Sequence, residues 1–250
     1  MNGKKLAIVI GILIGSQLCG PVAHAHQRDY LVNQPYYTAK KGEFEVEFYN
    51  DMNLPEMDND DTYSSKHQIE VEYGITDHLQ AAFYEVYTWD RAEDWSRDEF
   101  KVEGKYRFAE PGQLPLDIAL YGEYANPNGS RETHSDDVET KLILSKDIGV
   151  WNFTANLIAE RAINENAEWD LEYTAGVNYA VTPRTRLGLE LQQSLGDSDS
   201  FHADSTQPAY IIPGIYMNIL PNVRILVGPA FGLTRASDDI QFKSLVEVEF

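Results

Sequence analysis

Cysteine is almost missing from this chain: Cys19 is the single one in 250 residues. One thiol builds no disulfide framework, zinc site or dithiol redox centre. Ser16-Gln17-Leu18 ahead of it departs from the pattern that directs lipid attachment, so a lipoprotein is not expected. Positive charge is scarce as well, with 20 Lys plus Arg against 40 Asp plus Glu and a formal net charge of −20. Such an imbalance repels phosphate, which argues against nucleic acid and anionic surfaces as partners. Long apolar runs are lacking too. The single run, Leu6 to Ile14, is too short for a membrane-spanning helix. Lys4 and Lys5 precede it and Ala23-His24-Ala25 follows, the order of a secretory signal, so residues 1–25 are expected to be cleaved on export. Also missing are a glycine-rich phosphate loop, a nucleophile elbow and a defined pair of catalytic carboxylates; the expectation is no enzyme and no cofactor.

What the chain has is alternation. In the stretch Ile240 to Phe250, Phe242, Val246, Val248 and Phe250 share one face of an extended strand, and Lys243, Glu247 and Glu249 share the other. Glu43 to Phe48 and Gln68 to Tyr73 repeat the pattern, apolar on one side and carboxylate on the other. Two kinds of connection themselves alternate. Tight clusters occur at 74–78, 109–112, 146–149, 181–184 and 220–222; longer acidic ones occur at about 50–66, 90–98, 126–137, 162–168, 194–208 and 234–240. Strands are predicted over 43–49, 67–74, 79–89, 99–108, 114–125, 138–146, 150–161, 168–181, 185–193, 209–219, 223–233 and 241–250. Twelve is even, so both ends fall at the rim of short turns.

The predicted fold class is therefore all-β, a single antiparallel transmembrane β-barrel of about twelve strands with both termini periplasmic, preceded by a periplasmic lead-in over residues 26–42. Strand faces support it. Phe100, Val102, Gly104, Tyr106 and Phe108 oppose Lys101, Glu103, Lys105 and Arg107; Trp169, Leu171, Tyr173, Ala175, Val177 and Tyr179 oppose Glu168, Asp170, Glu172, Thr174 and Asn178. Glu85 falls on an otherwise lipid-facing side, and Pro213 and Pro229 inside predicted strands suggest bulges or rim positions. A soluble β-sandwich also alternates, but its wet face is mixed in sign, and only closure removes the edges of long regular strands.

The chain end and the turns carry a resemblance. A terminal aromatic such as Phe250 on an alternating strand resembles the closing strand of Gram-negative outer-membrane barrels, which implies that Phe250 is part of an assembly signal. Thr38 to Glu47, Tyr73-Gly74-Ile75-Thr76-Asp77-His78-Leu79-Gln80 and the echo Tyr179 to Leu187 look like the outer-membrane family named after the meta-pathway phenol-degradation protein. The resemblance implies an outer-membrane transporter, with lipid, lipopolysaccharide and the barrel-assembly machinery as partners and a small-molecule solute as cargo.

The alternation assigns an acid-rich interior. Its residues are Glu45, Glu47, Glu70, Glu72, Lys101, Glu103, Lys105, Arg107, Asp117, Glu123, Glu139, Lys141, Asp170, Glu172, Arg186, Glu190, Arg224 and Glu247. Two readings follow. These charges line a passive pore favouring cations or polar neutral solutes, or they pair across strands and close a structural barrel whose long acidic loops meet a partner. An inward-folded lead-in is a third way to fill the lumen. Other candidates are weaker. His134-Ser135-Asp136-Asp137 lacks the Asn-Gly that follows the His-x-Ser of outer-membrane phospholipase. Asp58-Asn59-Asp60-Asp61 lacks the glycine and distal glutamate of a calcium loop; with Asp197, Asp199 and Asp204 it either binds divalent cations loosely or, the favoured reading, repels and solvates the outer surface. His67, His78 and His202 have no metal-ligand spacing.

Overall fold

A computed structural model of the chain describes residues 29–54, 63–90, 94–127, 135–164, 167–201, 203 and 206–250. The expected signal peptide, the Asp58 to Asp61 stretch, His134, His202 and Asp204 lie outside the described residues.

Twelve antiparallel strands close into one barrel, each paired with its neighbours in sequence and β1 with β12. They are β1 (Phe44–Asn53), β2 (Ser64–Thr76), β3 (Leu79–Asp90), β4 (Asp94–Arg107), β5 (Asp117–Pro127), β6 (Asp137–Ile148), β7 (Trp151–Ala162), β8 (Asp170–Thr182), β9 (Thr185–Asp197), β10 (Ala209–Leu220), β11 (Val223–Gly232) and β12 (Ile240–Glu249). Asp77-His78, Gly149-Val150, Pro183-Arg184 and Pro221-Asn222 make two-residue turns at one rim. The β4–β5 connection over residues 108–116 shares that rim, and the remaining six connections lie at the other. No helix occurs among the described residues.

The barrel is polar inside and apolar outside, the reverse of a soluble sandwich and the arrangement of a membrane-spanning barrel. Phe48, Ile69, Phe83, Val102, Leu120, Leu157, Leu189 and Ile215 are exposed on that face, while Glu45, Glu70, Lys105, Asn156 and Thr174 are buried within. Aromatic side chains mark both ends of the apolar belt. Phe44 packs on Phe250 (6.1 Å) and Trp151 on Tyr179 (4.7 Å) at the turn rim; Tyr63 packs on Trp89 (5.3 Å) and His67 on Trp95 (5.0 Å) near the loop rim.

Three local expectations are corrected. Residues 94–98, expected in a loop, are strand, because Trp89 faces Trp95, Asp90 faces Asp94 and the Thr88 and Ser96 hydroxyls bond at 2.9 Å, which carries the ladder on. The turn expected at 109–112 spans 108–116, held by Arg107 donating to the Ala109 carbonyl (3.0 Å) and the Glu110 carboxylate (2.8 and 3.0 Å). Pro213 and Pro229 are neither at a rim nor scattered. Register between β10 and β11 runs from Ile211 opposite Phe231 to Ile215 opposite Val227, which sets the two prolines opposite each other and confines both missing donors to one seam.

Candidate functional site

The lead-in is not outside the barrel. Residues 29–39 run through the turn-side half of the lumen as an arch without regular structure, and most are buried. Its first foot is ionic: Asp29 lies 3.6 Å from Arg186 and 3.5 Å from Arg224, side chains that leave β9 and β11 close to their turns. Tyr30 reaches across to Asn152 Oδ1 (2.7 Å), its ring against the backbone of Gly176, where any Cβ would collide with it. At the crown the amides of Leu31, Val32 and Asn33 all donate to the Glu190 carboxylate (2.7, 2.9 and 3.0 Å), which also accepts from Tyr216 (2.7 Å). A carboxylate fits here because successive unpaired N–H groups converge on it, an anion nest built by the lead-in backbone. Gln34 and Asn156 then exchange two bonds, backbone N–H to Oδ1 (2.6 Å) and Nδ2 to the carbonyl (3.1 Å).

Beyond Pro35 the chain descends. Tyr36 packs against Ala119, Tyr121 and Ile143 and donates to the Ala109 carbonyl; Tyr37 donates to Asp147 (2.9 Å). Burial, chiefly, holds the Tyr30, Tyr36 and Tyr37 hydroxyls above the usual tyrosine pKa. Ala39 donates to Gln80 Oε1 (2.9 Å), and the Lys40 carbonyl passes so close to Gly74 that a Cβ there would strike it. The apolar crown has its own seat. Leu31 joins Tyr210, Ile212, Tyr216, Leu226, Ala230 and Leu245 on the β10–β12 wall.

The interior charges are ordered by the register. Directly opposite partners run Glu249, Glu45, Glu72, Ala82, Glu103, Glu123, Glu139, Glu160, Asp170 from β12 through β1 to β8. Because strands tilt, this row climbs from the turn rim, where β12 ends, to the loop rim, where β8 begins. Carboxylates facing each other across neighbouring strands are locally unfavourable. Lysines in the adjacent rows temper them: Lys101 bonds Glu123 at 2.9 Å and lies 3.6 Å from Glu99, and Lys141 bonds Glu139 at 2.9 Å. Above the crown of the arch the lumen holds a cavity of about 240 Å³, floored by Leu31, Val32 and Gln34 and walled by Tyr49, Tyr84, Lys101, Tyr121, Glu123, Glu139, Lys141, Glu172, Gln192 and Lys243.

The structure places the residues that the alternation assigned inward as follows. Glu45, Glu47, Glu70, Glu72, Glu103, Lys105, Arg107, Asp117, Glu190, Arg224 and Glu247 are buried in the lumen. Lys101, Glu123, Glu139, Lys141 and Glu172 line the open cavity, Arg186 is half-buried beside Asp29, and Asp170 is exposed at the loop rim. Phe250 is exposed at the turn rim against Phe44. Missed were Tyr49, Gln80, Tyr84, Tyr121, Asn152 and Asn156, all inward, while Lys243, set on the polar face of the closing strand, lines the same cavity. The same period extends to each of them, with Asn152, Thr154 and Asn156 interleaving Trp151, Phe153 and Leu157. Glu85 is indeed outward. A bulge between Val86 and Tyr87 turns Arg97 to the same face, and the two side chains form a bidentate pair (2.6 and 2.7 Å).

The sequence matches no family model, and no curated protein matches it. Solved structures do. An outer membrane channel from Pseudomonas putida F1 is similar over 87% of this chain and 99% of its own, with TM-score 0.62 at 11% identity. The KdgM porin in complex with oligogalacturonate covers 82% of this chain and 98% of its own (TM-score 0.56, 9% identity), and the NanC porin 83% and 98% (TM-score 0.54, 10% identity). At such identities the likeness concerns fold alone, a closed antiparallel β-barrel.

Proposed function

We propose that the chain is an outer-membrane channel for small cationic or polar neutral solutes, closed on its turn side by its own residues 29–39. The carboxylate row carries this reading. It breaks the rule against like charges in direct opposition along a path joining both rims, and such departures from local consistency mark function more often than stability. On this reading the signal directs export, the turn rim faces the periplasm, Phe250 serves assembly, lipid and lipopolysaccharide surround the belt, and the turn motifs suggest kinship with the meta-pathway phenol-degradation family. An oligogalacturonate is a polyanion, and the acid row would repel such a ligand.

No enzyme is proposed. Ser65 Oγ lies 2.9 Å from His67 Nε2 on the outer face, yet among the described residues no carboxylate bonds the other ring nitrogen. A permanently closed structural barrel is the second reading, favoured by the number of buried bonds that seat the arch. Liposome swelling separates the two. Influx of small cationic and neutral solutes at rates above those of anions of equal size supports the channel; liposomes that stay impermeable with a correctly folded barrel support the closed one.

A further inference from the structure

Two cavities in the lumen meet at one rung of the barrel. The chamber above the arch is lined by Tyr49 of β1 and Leu245 of β12, which stand opposite each other in register. A larger cavity of about 510 Å³ lies toward the loop rim and is lined by Asn53 and Gln241, again opposite each other. Asp51 and Lys243 form the rung between those two pairs, and both residues line both cavities. Inward side chains recur at every second residue, so on β1 and β12 this rung divides the outer cavity from the chamber. Gln192 of β9, three strands further round, also lines both. The passage thus runs through a neck made of one acid, one base and one amide.

Each member of the neck is held in place. Lys243 Nζ donates to Asp51 Oδ2 at 2.9 Å, with the lysine side chain 10% exposed and that of the acid 32%. The Gln192 amide donates to both oxygens of Glu172 (3.2 and 3.3 Å). A free lysine at this rung would repel cations and a free aspartate would repel anions; joined across the β1–β12 seam, the two cancel. Among the described residues Asp51 is the one carboxylate that bonds Lys243, so its loss would leave a full positive charge in the passage.

We propose that Lys243 is a specificity-determining residue of the channel and that Asp51 is its positioning residue, holding the ammonium against the β1–β12 seam. The neck then carries no net charge, and the acid-rich chamber beyond it sets the preference for cations. This inference rests on the channel reading above.

Planar-bilayer recording of the full chain across a salt gradient tests it with Asp51→Asn, Lys243→Gln, the two combined, and Lys243→Arg. The cation-to-anion permeability ratio should fall roughly threefold in Asp51→Asn, rise by a similar factor in Lys243→Gln, return close to wild type in the combination and hold in Lys243→Arg. A pair that merely ties the closure would lower barrel stability in both single variants and leave the ratio unmoved; that result overturns the proposal while the currents uphold the channel. Absence of current from folded wild-type and Glu190→Gln barrels contradicts the channel reading, and this inference falls with it. Should a single variant lose heat-modifiable barrel mobility, the uncharged pair Asp51→Ser/Lys243→Cys in a Cys19→Ser background decides, labelled after folding with a cationic or an anionic thiol reagent. A lower ratio with the cationic label supports the neck, and equal ratios overturn it.

Discussion

Glu190 is the acceptor on which the arch hangs, since three consecutive amides and Tyr216 share its two oxygens. Charge-assisted bonds to a buried carboxylate are the strong kind, and Glu190→Gln replaces one acceptor oxygen with a donor that faces N–H groups. The variant is expected to weaken seating by roughly 2–3 kcal/mol. Limited proteolysis should then cut within residues 29–39 faster than in the wild type, with barrel mobility unchanged. Gly176→Val reaches the same end by bulk, because its side chain needs the space of the Tyr30 ring; it should raise conductance without altering the strands. Alternation in β9 was enough to turn Glu190 inward. It said nothing of a partner 159 residues away, because the arch has no period and its bonds are made by backbone, which carries no sequence signature.

At the scale of elements, the lead-in and the β3–β4 hairpin show where sequence reading stops. Tyr30, Leu31, Val32, Tyr36 and Tyr37 are more apolar and aromatic than a solvated tether requires, and that composition was the available sign of burial. The hairpin read as loop because Asp94, Arg97 and Asp98 are polar, while its ladder depends on the Trp89–Trp95 pair and on a bulge. Across that bulge, Arg97→Ala should leave Glu85 facing the membrane edge unpaired and lower the urea midpoint of the barrel in liposomes. Adding Glu85→Ala should recover the loss, giving a non-zero coupling in the double-mutant cycle. The arch also has a predicted pH response. Its tyrosines bind their protons more tightly when seated, so the seated state is fully favoured below the pKa of a freed tyrosine, near 10, and loses ground as pH rises past it. Conductance should therefore rise above about pH 10, and the Tyr30→Phe/Tyr37→Phe variant should lose that rise.

For the molecule as a whole, strand number, closure and the inside-out arrangement were legible because each strand repeats one period-two pattern and a barrel adds only closure to it. The carboxylate row was not. Alternation gives each residue a face, but only register, fixed by turn geometry and the bulges, decides which glutamates stand opposite one another. On the proposed reading, the row and the arch together make a lumen that selects by charge on its loop side and is stoppered on its turn side. Single-channel recording across a salt gradient tests that account most directly, comparing the full chain with Glu190→Gln and with Glu123→Gln/Glu139→Gln/Glu172→Gln. Cation-selective steps that open more often when the arch is loosened, and lose selectivity when the three glutamates are neutralised, are the predicted result. Anion-selective currents, or a selectivity that the triple variant leaves unchanged, would contradict it.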